Sequence, residues 1–413
     1  MHPREDPVQH PPGRSSAGML SLDDFERAAR QVLPRPVFAY VAGGAEDNLT
    51  FDDNRRAYRD LALVPRVLRN VASRSQQVSL LGRSYAAPFG IAPMGMLALS
   101  AYRGDIVLAR AAHAANIPTV ISGASLVRLE EIVQAAPASW FQAYLPGDPE
   151  RITALLGRVA AAGVETLMLT VDTPVAGNRE NNIRAGFSTP LRPSLRLALD
   201  GLSHPGWLLG TVLPTLWRHG MPYFENSFAE RGAPILSSTV LRDFAKRDHF
   251  DWSHVAAIRK TWKGPLVLKG ILNPADGEIA RAHGVDALVV SNHGGRQLDG
   301  AIAPLRVLGE IVERAAGMPV MLDSGLRRGA DVLKALALGA AFVFLGRPFN
   351  FAAAVGGQAG VARAIELLRD EIDRNMALLG VNRCAELGRG HVRDLRAPLW
   401  DDAAALARRA AAP

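Results

Sequence analysis

Short apolar runs, most enriched in β-branched or aromatic residues, recur from about residue 88: 88–94 (PFGIAPM), 118–123 (PTVISG), 140–145 (WFQAYL), 166–172 (TLMLTVD), 265–271 (PLVLKGI), 287–293 (ALVVSNH), 319–325 (PVMLDSG) and 342–348 (FVFLGRP). Runs this apolar, lacking the polar alternation of a one-sided strand, suit strands covered on both faces, as in a parallel sheet. Amphipathic stretches at 104–116, 126–136, 149–163, 274–284, 303–317 and 329–339 lie between most of them, and several close on Gly. Glycine ends helices with little strain. Strand–helix alternation repeated eight times predicts an α/β fold, a TIM (β/α)8 barrel; an open doubly wound sheet is the structural alternative.

Two segments depart from the repeat. Residues 21–75 predict an N-terminal helical segment, with helices over 22–32 and 35–43, the second entered through Pro34 and Pro36. A long insertion after strand 4, about 174–250, holds Gly/Pro breaks and the apolar stretch 195–217. A structureless connection of that length argues against the assignment unless it serves as a lid or docking element. The apolar stretch carries Arg196, Asp200, His204 and two prolines, which speaks against a transmembrane span. Two readings stand: an interfacial element rich in Leu and Trp, followed by Arg218 and His219, or a lid over the barrel mouth. Residues 1–20 are expected as a loose tail without the apolar run of a signal peptide, 21–390 as one domain, and 391–413 as a C-terminal tail.

Composition narrows the class. With 413 residues, 48% hydrophobic and 21% charged, the chain can bury a large core. The single Cys384 rules out an intrachain disulfide and fits a reducing compartment. The net charge of +7 reflects either an Arg-rich composition alone or a basic surface facing anionic substrate or lipid. The arginines are scattered, without an aromatic-interleaved basic cluster, so nucleic acid is not an expected partner. The absence of HExxH or clustered His/Cys spacing argues against a metal, and no GxGxxG follows a strand as a dinucleotide site requires.

In a TIM barrel the chemistry gathers at the carboxyl ends of the strands. The eight predicted ends carry Met94 and Gly95, Ser122, Gln142 and Tyr144, Thr170 and Asp172, Lys269, Ser291 and His293, Asp323 and Gly325, and Gly346 and Arg347. Lys269 is one of five lysines against 42 arginines, so an ammonium at that place invites a role in Schiff-base chemistry or anion stabilisation. Asp323-Ser-Gly-Leu-Arg-Arg-Gly and Gly346-Arg-Pro follow the last two runs, the usual phosphate position of this fold. Their glycines allow close backbone approach, and Arg327 and Arg347 supply forked donors. His293, three residues before Arg296, reads as a base beside an anion-binding group, and Asp172 as the carboxylate that orients it.

The strings AGGAEDNLTFDDNR, WFQAYL, LTVDTP, VLKGIL, VSNHGGRQLDG, SGLRRGADVLKALALGA and FLGRP, in this order over about residues 22–390, resemble the FMN-dependent 2-hydroxy acid dehydrogenase/oxidase family. The resemblance implies oxidation of an L-2-hydroxy acid to its 2-oxo acid, with FMN as cofactor. It makes His293 the active-site base and Asp172 its partner. Arg296, Tyr40 and Arg179 correspond to the residues that enclose the substrate carboxylate, and Tyr144 to the tyrosine on the substrate oxygen. Ser122, Gln142, Thr170 and Lys269 match contacts of the flavin ring. Met94-Gly95 matches the segment along it, and Asp323, Gly325, Arg327, Gly346 and Arg347 match the ribityl and phosphate site. Ser291 joins the cofactor-binding set from its strand end.

Ala124 and Ala176 are smaller than the oxidase pattern, and Met94 replaces a common threonine, which favours a substrate with an aromatic or branched side chain. The string LALDGLSHPGWLLG resembles the insert of mandelate and respiratory lactate dehydrogenases, which concerns membrane association and delivery of electrons to quinone. The expected acceptor is therefore quinone or another carrier, with oxygen and peroxide release as the alternative. An FMN-dependent isomerase of a phosphorylated substrate is more remote, because the carboxylate-binding set suits oxidation. The family resemblance also implies a homotetramer, in the cytoplasm or peripheral on the inner face of the cytoplasmic membrane.

Overall fold

The computed structural model describes residues 18–396 except 146–147, 193 and 240–246. Residues 1–17 of the expected N-terminal tail and 397–413 of the C-terminal one lie outside the described residues. Eight parallel strands form the centre: β1 Phe89–Ile91, β2 Val120–Ser122, β3 Trp140–Ala143, β4 Leu167–Thr170, β5 Leu266–Ile271, β6 Ala287–Val290, β7 Val320–Leu322 and β8 Phe342–Leu345. Each pairs with its sequence neighbour, and β8 pairs back onto β1. An Ile91–Thr119 bridge and a 2.9 Å bond from Ile91 N to Pro118 O bring β1 onto β2, so the sheet closes as the expected barrel.

The strands stop sooner than the apolar runs suggest. β6 ends at Val290 and β7 at Leu322, leaving Ser291, His293, Asp323 and Gly325 in the turns beyond. Positive φ at His293, Ser324 and Gly325 breaks the pleat there. Along β4 the side chains alternate: Met168 joins Val120, Trp140, Val267, Val289, Met321, Phe342 and Phe344 inside the barrel, whereas Leu167 and Leu169 belong to the larger core beneath the helices. A hairpin, Val78–Leu80 with Arg83–Tyr85, stoppers the amino end of the barrel. Its Leu80 and Tyr85 join the interior cluster, and Trp140 Nε1 donates to Tyr85 Oη at 3.3 Å.

Helices α1 (Leu22–Val32) and α2 (Arg35–Ala42) fall where the sequence places them. A third, α3 (Leu49–Arg59), was not legible because it opens on a left-handed Asn48 and borrows its cap from afar. Asp299 accepts from Asp47 N, Leu49 N and Thr50 N across some 250 residues of chain. Val392–Asp394, expected in the C-terminal tail, instead pairs antiparallel with Leu61–Leu63.

Among the described residues the insertion holds helices rather than a structureless connection. Leu195–Leu202, Pro205–Trp207, a wide turn Leu208–Val212 and Leu213–His219 form an amphipathic element. Trp207 Nε1 donates to Leu99 O at 2.7 Å, and Tyr102 Oη lies 2.9 Å from His219 Nε2, tying the element to the segment after β1. Leu195, Leu199, Leu202, Leu209, Leu213, Leu216 and Trp217 face outward, exposed. No described helix is long and apolar enough to cross a membrane.

Closure of the barrel depends on Gly90, where a Cβ would lie 2.7 Å from Pro118 O and 2.9 Å from the Phe344 ring. Gly90→Val is expected to destabilise the protein by about 1–3 kcal/mol through overpacking, read as a lowered Tm in thermal unfolding; an unchanged Tm would contradict this seam.

Candidate active site

The mouth of the barrel is assembled from turns, and their sequences dictate how. Gly270, just after Lys269 in β5, has φ +114, and a Cβ there would lie 2.6 Å from the Asp172 Cβ. Only glycine lets the turn after β4 carry its carboxylate across β5 toward His293. His293 itself adopts φ +59, and its backbone N donates to Ser291 Oγ at 3.0 Å. These constraints set His293 Nδ1 3.0 Å from Asp172 Oδ1.

The protonation states follow from the surroundings. Burial lowers the His293 pKa and Asp172 opposes it; the Lys269 ammonium adds to burial, and the imidazole stays below its ordinary value. Burial raises Asp172, but His293 and Lys269 outweigh it and hold the carboxyl below its usual range. The pair is therefore a neutral imidazole donating from Nδ1 to a carboxylate, which leaves Nε2 as a free acceptor. Burial alone would lower Lys269, yet Asp323 and Asp172 reverse this and keep it charged. Lys269 Nζ lies 3.0 Å from Ser291 Oγ and 3.3 Å from Asp323 Oδ2. Tyr144, whose ring centroid is 6.5 Å from that of His293, is raised by burial and keeps its proton.

A second group lies beside this pair. Arg296 Nη1 donates to Tyr40 O at 2.8 Å and Gly43 O at 2.9 Å, and its guanidinium carbon is 5.1 Å from the Tyr40 ring centroid. Arg179 donates to Arg296 O at 3.2 Å and to Gln297 Oε1 at 3.1 Å. Burial and then Arg179 push Arg296 down to about 10. Tyr40 Oη reaches Gly95 O at 3.3 Å, joining α2 to the turn after β1.

On the wall, Ser122 Oγ donates to Gln142 Oε1 at 3.2 Å, while Gln142 Nε2, Thr170 Oγ1 and Asp172 Oδ2 are buried without a hydrogen-bond partner. Buried polar atoms left this way carry a desolvation cost that a ligand with matching donors and acceptors removes. A flavin ring edge has that character, so these residues fit the group. Toward β7 and β8, Arg327 is buried, with Nε lacking a hydrogen-bond partner, 3.6 Å from Asp23 Oδ1. Arg347 directs Nε and Nη2 to the carbonyls of Val41, Gly43 and Gly294 at 2.9–3.0 Å, so part of its guanidinium is committed to the protein rather than left for a phosphate. Burial, then Arg296 and Arg327, drive Arg347 well below its ordinary value. Gly346 caps the helix Arg347–Leu379 beside Met94, and Gly325 sits against the Asn54 carbonyl.

The structure thus gathers the sequence-predicted residues at one mouth, with Ala176 exposed on the loop after β4 and Ala124 against Gly95. Sequence reasoning missed four supports. Asn54 and Asn292 exchange amide bonds at 2.9 and 2.7 Å, and Asn292 Oδ1 also accepts from Gly295 N. Gln297 Nε2 donates to Asp172 O and Val175 O, and Asp299 caps α3. Three of these lie inside the very string SNHGGRQLDG that carries the base, and their polarity within a buried turn was the available signal. No cluster of His, Cys, Asp and Glu among the described residues could hold a metal.

Comparison with known proteins fits this geometry. The model of the family described as FMN-dependent dehydrogenase matches residues 29–394. A putative L-lactate dehydrogenase of Mycobacterium tuberculosis is 38% identical over 388 residues, 93% of this chain and 91% of its own. The (S)-mandelate dehydrogenase of Pseudomonas putida is 36% identical over 366 residues, covering 88% of this chain and 91% of its own. Among solved structures, the monotopic membrane protein (S)-mandelate dehydrogenase superposes with a TM-score of 0.84 at 34% identity, over 91% of this chain and all of that one. A mandelate oxidase variant gives 0.75 at 35% identity, over 89% and 96%. The chain belongs to the FMN-dependent dehydrogenases, oxidoreductases of 2-hydroxy acids built on this barrel with FMN as cofactor.

Proposed function

We propose that this chain oxidises an L-2-hydroxy acid of the lactate or mandelate kind, with His293 as the base and quinone or another carrier as the electron acceptor. The observation that carries the reading is the neutral His293 held by Asp172 with Nε2 free, beside the half-buried Arg179 and Arg296. Arg296, Arg179 and Tyr40 enclose the substrate carboxylate, and two forked cations with a tyrosine fix its handedness. Tyr144 donates to the 2-oxygen. His293 removes one proton through Nε2, the two electrons and the second hydrogen leave the substrate for an acceptor, and the Asp172 carboxylate stabilises the imidazolium that forms. Bound FMN supplies the two-electron acceptor. Ser122, Gln142, Thr170, Ser291 and Lys269 hold its ring, with Met94 and Gly95 alongside, and Lys269 offers positive charge where negative charge accumulates. Asp323, Gly325, Arg327, Gly346 and Arg347 hold its ribityl and phosphate. The small Ala124 favours an aromatic or branched substrate side chain.

The outward apolar face of 195–217 supports a peripheral contact with the inner face of the cytoplasmic membrane, where a quinone is reached. A homotetramer is part of the same reading. Likeness to mandelate oxidase favours a second reading, in which oxygen takes the electrons and leaves as hydrogen peroxide.

His293→Gln is expected to keep flavin and lose about 10²- to 10⁴-fold in the rate of anaerobic flavin reduction. In the wild type, kcat/KM should rise with pH through an acid limb below 6.5, because the neutral imidazole is the active form and its pKa is depressed. A variant that reduces normally would remove His293 as base. Stopped-flow reoxidation of the reduced protein should be faster with a quinone analogue than with oxygen, and fast reaction with oxygen would favour the oxidase. Replacing Leu199, Leu213 and Trp217 together by Gln should weaken cosedimentation with anionic phospholipid vesicles while sparing flavin reduction; undiminished cosedimentation would sink the membrane assignment.

A further inference from the structure

Tyr144 has a second neighbour that the proposed chemistry does not use. The guanidinium carbon of Arg247 lies 4.7 Å from the centroid of the Tyr144 ring. Arg247 stands five residues before the helix Trp252–Thr261 and so belongs to the last stretch of the insertion, whereas Tyr144 follows β3 directly. Two segments more than a hundred residues apart therefore meet as a cation on an aromatic ring.

The placement is not one that packing alone enforces. A cavity of about 240 Å3 adjoins Arg247, walled also by Leu145, Thr173, Phe250, Trp252 and Val255. Beside such space a long side chain has other rotamers to occupy. The guanidinium is half-buried, at a cost that depresses its pKa, and the Tyr144 ring opposes that depression. A cation over the negative face of a ring is favoured more strongly as water is withdrawn. The effect runs both ways. Burial raises the Tyr144 phenol, and Lys269, Arg247 and Arg179 pull it back, making the hydroxyl a better donor than burial alone would leave.

We propose that Arg247 is a positioning residue for the oxidation, holding the Tyr144 ring in the orientation in which its hydroxyl donates to the substrate's 2-oxygen. The inference rests on the role assigned to Tyr144 in the proposed function. The insertion then does more than face outward: its final residues complete the site, and turnover depends on their being seated.

The test uses flavin-loaded wild type, R247M, R247K, Y144F and the R247M/Y144F double variant, with each rate taken per bound flavin. Two quantities are read: the limiting rate of anaerobic flavin reduction by L-mandelate and L-lactate, and the Kd of the corresponding 2-oxo acid from the change in flavin absorbance. R247M is expected to slow reduction about five- to tenfold, the range a partly desolvated cation–ring contact supports, and to weaken 2-oxo acid binding. R247K, which keeps the charge, should recover most of both. In the Y144F background R247M should add no further loss, because a residue acting through Tyr144 has nothing left to act on. Equal losses with and without Tyr144, or an R247M protein indistinguishable from wild type, would overturn the inference while leaving the Tyr144 assignment intact. A Y144F protein that reduces at the wild-type rate would instead remove that assignment, and the inference with it.

Discussion

Desolvated positive charge is the constraint around which the mouth of this barrel is arranged. After burial, Arg179 lowers the Arg296 pKa and Arg296, Arg327 and Arg179 lower that of Arg347, while Lys269 is buried at the same mouth. Cations withdrawn from water are stable only against carbonyls, carboxylates or bound anions. The protein supplies the first two in part: carbonyls of Tyr40, Val41, Gly43 and Gly294, and the carboxylates of Asp172 and Asp323. On the proposed function, what remains is met by two anions of different kinds, a phosphate near β7 and β8 and a small carboxylate near the base. The FMN dependence of the family and the acids named in its members have those two anions.

Holding the charges in place falls to a single turn. The segment after β6 carries Asn292, His293, Arg296, Gln297 and Asp299, and between them they reach three partners: α3, the turn after β4 and the end of α2. Ala45 N also donates to Gly295 O at 2.8 Å. The N-terminal helices are therefore less an appendage than the outer half of the site. Their order is coupled to that of the base.

Much of this was legible in the chain and some was not, for physical reasons. Near-continuous apolar runs give strands buried on both faces away clearly, and Gly-terminated amphipathic stretches gave helices such as Gly329–Ala337 to within two residues. The candidate site residues could be gathered from the sequence because a barrel places strand ends together whatever lies between them. Strand lengths were overestimated because the runs were carried through the polar residues at their ends into turns that positive φ has already broken, as at His293. Helix α3 was missed because Asp299 caps it from a distance, and local pattern carries no trace of a cap so far away. Arg247 was invisible for the same reason. Nothing local distinguishes an arginine on an insertion that touches Tyr144 from one that faces water.

The hairpin at the amino end has a consequence for kinetic order. With Leu80 and Tyr85 packed into the interior cluster, the barrel is a vessel stoppered at its base. Traffic to the strand ends then enters and leaves from above. On the proposed function, the 2-oxo acid formed between Arg179, Arg296 and His293 lies on that same side. Donor and acceptor then share the side of the barrel that the hairpin leaves open, and on this reading the two halves of the cycle follow one another there.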